Sequence, residues 1–322
     1  MDLTDKSELL QYLKKNGLWA KKGLGQNFLV DRGALDKIIE TAEFAPPLAP
    51  PQKGGELVVE VGPGVGTLTS ELIKRAGEVV AVEMDEKLAK LLEKQLCHSR
   101  EGGNLETGSQ ILPPPLTPPR AGGEPLSVQS GMTTKNKLKI INADILKTNL
   151  NELVGDRKYK VVANIPYYIT SKIIELFLTA ENKPESIVLL VQKEVAERIC
   201  AEPGEMSVLS VSVQLYGKPE IVGIVPKESF FPSPKIDSAI LKIVISSQLS
   251  VVSREQERTF FRCVHIGFAS RRKTLANNLS AGYHIDKKTA SDIIEAIGLR
   301  PDVRAQNLSV NDWLKLSERL NS

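Results

Sequence analysis

Leu57-Val58-Val59-Glu60-Val61-Gly62-Pro63-Gly64-Val65-Gly66 is the stretch that decides the fold. A short Val-rich run enters three glycines spaced G-x-G-x-G, and Thr67–Ala76 follows with Leu68, Leu72 and Ile73 on one helical face. Strand, tight turn and helix in that order open an α/β sheet. Moving outward, Glu78–Glu83, Leu138–Asn142, Lys160–Ala163 and Ser186–Val191 are short, rich in Val and Ile, and mostly apolar on both faces, as strands of a parallel sheet covered by helices are. Thr170–Thr179 reads as a helix through Ile173, Ile174 and Phe177. Val208–Tyr216 suits strand or helix by periodicity, and context favours helix. Glu220–Val225 and Ser238–Ile245 flank a Pro-punctuated turn and complete the sheet as an antiparallel pair.

After Ser246 the strand signals stop. Helices are expected over Arg254–Phe268, Arg272–Leu279, Lys288–Ile297 and Val310–Leu320, the last opening on Ser309-Val310-Asn311-Asp312, a capping box with Asp in place of Glu. The chain thus divides into a sheet domain, 1–246, and a small all-helical domain, 247–322. Within the first, 12 of the 40 residues from 97 to 136 are Pro or Gly with no apolar periodicity, so this insert is expected to be disordered. Ala45–Gly55 is a shorter link of the same kind.

Composition excludes several classes. With 322 residues, 41% hydrophobic and 25% charged, neither a disordered nor a fibrous chain fits. The net charge of +3 announces nothing by itself, but residues 250–322 hold 12 basic and 8 acidic side chains, a balance of +4 that leaves −1 for the rest. Three scattered cysteines, with no CxxC and no paired His, argue against disulfides and against a metal site. There is no apolar run long enough to cross a membrane and no signal-like start, so a cytoplasmic protein is expected.

The G-x-G-x-G turn is tighter than the G-x-G-x-x-G that cradles a pyrophosphate, and fits a nucleoside cofactor without phosphates, S-adenosylmethionine. Gly62 allows close backbone approach. Glu83 closes the next strand and can accept from the ribose hydroxyls, and Asp144 closes the third, placed to accept from the adenine amine. Tight turns and strand ends attract Gly and acids for other reasons, so it is the three elements in order that carry weight.

Val162-Ala163-Asn164-Ile165-Pro166-Tyr167-Tyr168 follows the fourth strand. An exocyclic adenine amine is a poor nucleophile, its lone pair being delocalised into the ring. The Asn164 side-chain oxygen and a nearby main-chain carbonyl can accept its two N–H bonds and turn the lone pair toward the methyl. Pro166 fixes that backbone, and Tyr167 stacks on a flipped base. Phe230-Phe231-Pro232-Ser233-Pro234-Lys235 offers a second stacking face, Phe230 being the preferred residue; on spacing alone, loop aromatics packed on the core fit equally well.

With Lys22-Gly23-Leu24-Gly25-Gln26-Asn27-Phe28-Leu29, Gln192-Lys193-Glu194-Val195, Phe230 to Ser238 and Arg271-Arg272-Lys273-Thr274-Leu275 added to these motifs, the chain resembles the small-subunit ribosomal RNA adenine dimethyltransferases from about Lys21 onward. The resemblance implies a Rossmann-like fold using S-adenosylmethionine, and conversion of two adjacent adenosines near the rRNA 3′ end to N6,N6-dimethyladenosine. Cofactor contacts carry over to Asn27, Leu29, Gly62, Glu83, Asp144 and Asn164. It also implies docking on small-subunit rRNA, or a pre-30S-type particle, through the helical domain, with Arg271, Arg272 and Lys273 on phosphates; a monomer is expected. Two departures stand out: the 97–136 insert, and Met206-Ser207 where the family often has Tyr-Gly. Erythromycin-resistance methyltransferases of large-subunit rRNA share the cofactor turn and the Asn-x-Pro-Tyr motif but are disfavoured by Arg-Arg-Lys-Thr-Leu. A non-catalytic factor of the same fold could have lost Glu83, Asp144 or Asn164, and a nicotinamide dehydrogenase would space its glycines differently.

Overall fold

The structure, a computed structural model, describes residues 2–20, 25–44, 56–98, 137–246 and 253–321. Residues 45–55 and 99–136, which hold the link and nearly all of the insert, lie outside the described residues.

The chain begins with α1 (Lys6–Lys15), a two-residue strand β1 (Phe28–Leu29) and α2 (Arg32–Thr41). There follow β2 (Leu57–Val61), α3 (Thr67–Arg75), β3 (Glu78–Glu83), α4 (Glu86–His98), β4 (Leu138–Asn142), α5 (Leu150–Val154), β5 (Tyr159–Asn164), α6 (Thr170–Leu178) and β6 (Ser186–Gln192). Next come α7 (Lys193–Ile199), α8 (Val208–Tyr216), β7 (Gly217–Val225), β8 (Phe230–Phe231) and β9 (Ser238–Ile245). Last are α9 (Arg254–Gly267), α10 (Leu275–Tyr283), α11 (Lys287–Ala296) and α12 (Val310–Arg319). The seven-stranded sheet runs β4-β3-β2-β5-β6-β9-β7, the first five strands parallel and the last two pairings antiparallel. Chain order reverses between β2 and β5, which opens a crevice at their carboxyl ends, where ligands of such sheets bind.

All five residues of β2 are buried, because helices cover both faces: Val59 and Val61 pack with Ile173 and Phe177 of α6, while Val58 packs with Leu68 and Leu72 of α3 and Ile38 of α2. The antiparallel pair at 217–225 and 238–245 and the helix at 208–216 agree with the sequence reading. One shift is physical: α10 begins at Leu275, since Thr274 accepts the N-capping bond from the Asn277 amide and Arg271–Lys273 form the preceding turn.

The first twenty residues carry an element the sequence reading missed. Leu9, Tyr12 and Leu13 of α1 pack against Phe28, Val65 and Leu88, and the Tyr12 hydroxyl donates to Gln95 Oε1 at 2.6 Å, so α1 braces the glycine turn from outside. At the other end the helical part is welded to the sheet: Phe260, Cys263, Leu275 and Trp313 belong to the same buried cluster as Val211 and Leu215 of α8. The Gly204 amide donates to Gln306 O at 2.8 Å across this junction.

Candidate active site

Three glycines shape the β2–α3 turn. Gly62 holds φ +66°, a left-handed conformation, and an added Cβ there would meet nothing closer than Pro166 Cδ at 4.0 Å, so its backbone borders open space. At Gly66 the demand is for packing, because a Cβ would come within 2.4 Å of Leu92 Cδ1. Beside the turn a cleft of about 330 Å³ is lined by residues from every strand end at the switch: Gly62, Glu83, Asp144 and Asn164, with Asn27 and Leu29 of the N-terminal segment. That volume is in the usual range for small-molecule sites.

Glu83, 6% exposed, ties the two acidic edges together: Oε2 accepts from the Gly64 amide at 3.0 Å and Oε1 from the Asp85 amide at 2.8 Å. Burial raises its pKa, and those two amide bonds hold the rise in check. Each oxygen keeps a further lone pair, as a ribose diol requires. Asp144 caps the short turn at 145–147, accepting from the Leu146 amide at 3.0 Å, with its carboxylate partly exposed to the cleft. Glu60, on β2, also lines the cleft; its side chain is 1% exposed and Oε2 has no hydrogen-bond partner. The sequence reading passed over this carboxyl.

On the other lip, the Asn164 side-chain amide donates to Asn27 O at 3.2 Å, and the Asn27 side-chain amide donates to Gly25 O at 3.2 Å. This chain of bonds fixes which way the Asn164 amide faces, with Nδ2 engaged. Pro166 and the Tyr168 ring flank the backbone of Gly25, whose added Cβ would touch them at 3.5 and 3.4 Å. Tyr167 is anchored by a 2.6 Å hydrogen bond between its hydroxyl and Ser238 Oγ; burial raises its phenol pKa, so it stays neutral.

Phe230 is a correction. Its ring is 2% exposed, packs with Leu35, Val58 and Leu190, and does not line the cleft, because β8 pairs with β1 in the register Leu29↔Phe230 and turns this side chain inward. The exposed aromatic at the mouth is Tyr168, at 61%. The same pairing explains how Asn27 and Leu29 reach the site from a segment that sequence alone reads as a basic loop. A usable signal was Asp31, which N-caps α2 and receives the Ser229 hydroxyl at 2.6 Å.

Arg271, Arg272 and Lys273 stand exposed on the α9–α10 turn, and Arg271 shares a second cavity of about 290 Å³ with Arg198 and Arg304 at the junction of the two parts. Met206-Ser207 has a structural reason: Ser207 and Ser210 form a capping box that starts α8, and Met206 is buried. Among the described residues no cluster of His, Cys, Asp or Glu could hold a metal ion, and no helix is long and apolar enough to cross a membrane.

A parallel sheet with a glycine turn and acidic strand ends around one crevice defines an α/β methyltransferase. The chain matches the family model for ribosomal RNA adenine dimethylase over residues 17–107 and 126–322, and belongs to that family. It is 41% identical over 300 residues, 93% of this chain and 88% of the other, to the ribosomal RNA small subunit methyltransferase A of Dehalococcoides mccartyi (strain CBDB1). To the protein of the same name from Pediococcus pentosaceus it is 35% identical over 330 residues, 99% of this chain and 96% of that one. Among solved structures, a dimethyladenosine transferase from Plasmodium falciparum superposes with TM-score 0.67 at 26% identity, covering 90% of this chain and 95% of that one. The 23S rRNA methyltransferase ErmE gives 0.65 at 25% identity, with 92% and 100% covered.

Proposed function

We propose that this enzyme transfers methyl groups from S-adenosylmethionine to the N6 amines of two adjacent adenosines in the 3′-terminal hairpin loop of small-subunit rRNA, giving N6,N6-dimethyladenosine during small-subunit biogenesis. The observation that carries this reading is Asn164: its Nδ2 is committed to Asn27 O, which leaves Oδ1 to accept an N–H from an adenine amine at the lip of the cleft. The cleft suits the cofactor by its own features, a glycine turn with open space at Gly62 and a buried carboxylate at Glu83. S-adenosylmethionine, when bound, supplies a methyl carbon activated by a positively charged sulfur.

This chain's residues do the rest. Gly62, Glu83 and Asp144 hold the nucleoside and amino-acid parts along the strand ends, with Asn27, Leu29 and Asn164 closing the opposite side. Asn164 Oδ1 and a main-chain carbonyl at Ile165-Pro166 draw the amine hydrogens out of the ring plane, which makes the nitrogen pyramidal and turns its lone pair, no longer delocalised, toward the methyl carbon. Tyr167, held by Ser238, and Tyr168 at the mouth present ring faces to the extruded base. The proton leaving the methylated nitrogen passes to solvent, so a strong base is not needed. The helical part, with Arg271, Arg272 and Lys273, docks on phosphates.

Incubation of the protein with S-adenosylmethionine and either small-subunit or large-subunit particles, followed by mass spectrometry of the rRNA, tests the reading. Two dimethyladenosines in small-subunit RNA are expected. Methylation confined to large-subunit RNA would move the protein to the activity named for ErmE.

A further inference from the structure

Lys172 is a cleft residue that the proposed reaction leaves without a task. It stands in the first turn of α6, four residues after Tyr168, so the two side chains share one side of the chain as it passes from the short turn at 167–169 into the helix. Both line the cleft and both are exposed, whereas Ile173, Ile174 and Phe177 of the same helix are buried in the core. Among the described residues Lys172 is the one cation lining the cleft, and its ammonium has no ion pair and no hydrogen bond there.

The other charged groups of the cleft wall are acids, Glu60, Glu83 and Asp144. Glu83 is engaged by the Gly64 and Asp85 amides, and Asp144 by the Leu146 amide, with Lys147 rather than Lys172 at 4.0 Å. A wall of carboxyls repels a polyanion. The first turn of α6 holds no acidic residue either, so the lysine there also works against the helix dipole. No partner within the described fold answers this charge, and an anion at the lip would.

An adenosine enters such a cleft by turning out of its strand about its own backbone, so the base goes in and its flanking phosphates stay at the mouth. Asn164 and Tyr167, half-buried, meet the base, while Tyr168 and Lys172, exposed, face the strand it came from. We propose that Lys172 grips a phosphate flanking the extruded adenosine and holds that nucleotide at the mouth while its amine is presented to Asn164. This rests on the adenosine-methylating reading above. The cofactor's carboxylate is the other anion in play, but it belongs to a molecule held along the strand ends by Gly62, Glu83 and Asp144, and Lys172 stands on the helix beyond Tyr168. The grip is separate from Arg271, Arg272 and Lys273 on the α9–α10 turn: those residues place the particle, and Lys172 places one nucleotide.

Methyl transfer by the full chain to small-subunit particles at several salt concentrations, with S-adenosylmethionine affinity read by calorimetry, tests the assignment. Lys172→Gln removes the charge from an exposed side chain and should fold as wild type does. Its kcat/KM for the particle should fall roughly tenfold, as expected for one lost charge-assisted contact. The salt slope of kcat/KM should drop by about 0.7–0.9, one phosphate contact, and S-adenosylmethionine affinity should stay within about twofold. Lys172→Arg, which keeps the charge, should recover most of the rate and the slope. Unchanged kcat/KM and slope in Lys172→Gln, or no recovery in Lys172→Arg, overturns the inference alone. So does a loss of S-adenosylmethionine affinity large enough to account for the slower transfer, which would put the cofactor's carboxylate on Lys172. Absence of transfer by wild type to small-subunit particles overturns the proposed function and this inference together.

Discussion

The carboxyl edge of the sheet and the C-terminal helices use acidic residues in opposite ways. In the helices, acids build: Asp286 caps α11, accepting from the Thr289 amide at 2.9 Å and hydroxyl at 2.5 Å, and these bonds hold its carboxyl below the usual range. Asp312 closes the capping box of α12 in the same way. At the sheet edge, Glu60 and Glu83 are buried and both carboxyls are pushed upward. The helix acids have their partners within their own turns, whereas Glu60 lines the cleft with Oε2 unpartnered. The charge surplus follows the same division, the cations that would meet RNA standing free on the α9–α10 turn.

The largest effect is expected at the lip of the cleft. Asn164→Ala removes the acceptor while leaving the glycine turn and Glu83 untouched, so methyl transfer should fall by about 10²–10³. Cofactor affinity should change by no more than about threefold, because Asn164 is one of several contacts. Transfer assays with labelled cofactor and calorimetry read the two quantities separately; near-normal transfer would break the assignment of chemistry to this edge.

Next is the pH dependence of stability without ligand. Glu60 is protonated in both folded and unfolded chains below about pH 4.5, and in the unfolded chain it ionises above that, while the folded chain holds the proton to about pH 8. Its contribution is therefore complete at low pH and is lost as pH rises through this window, by up to about 1.4 kcal/mol per pH unit. Between pH 6 and 8, Glu60→Gln should flatten that slope in urea unfolding. Asp286 has the opposite sign, its contribution being lost only in acid, below the usual carboxylate range.

Smaller again is the docking effect. Changing Arg271, Arg272 and Lys273 to Glu should weaken rRNA binding by at least about tenfold and lower the salt slope by up to about three, one per lost phosphate contact, with cofactor affinity unchanged. Filter binding at several salt concentrations measures this. An unchanged slope would place the RNA surface elsewhere on the helices.

Much of the sheet edge is legible in sequence because its signals are local. Glycine spacing, an acid at a strand end and Asn-x-Pro-Tyr each occupy fewer than ten consecutive residues, and the backbone period fixes where each side chain stands. What stays hidden is held by long-range pairing. Asn27 and Leu29 reach the cleft only because Phe28–Leu29 pair with Phe230–Phe231, about 200 residues away. That register also buries Phe230, which local spacing leaves undecided. Glu60 is hidden differently: its place in a strand is plain, but its missing partner is a property of the packed interior.

The smallest effect tests whether the two regions are independent. Ser207 starts α8, with its side chain accepting from the Ser210 amide and its own amide donating to Ser210 Oγ at 2.6 Å. α8 packs on α6 beside the sheet and meets α9 and α12, so it joins the two parts. Ser207→Ala removes one half of the capping box and should cost about 1 kcal/mol of unfolding free energy. The cleft lies across the sheet edge from this cap and shares no residue with it, so S-adenosylmethionine affinity should stay within about twofold. A loss of affinity in step with stability would show that α8 couples the helices to the cleft, and that RNA docking and cofactor binding are read through one element.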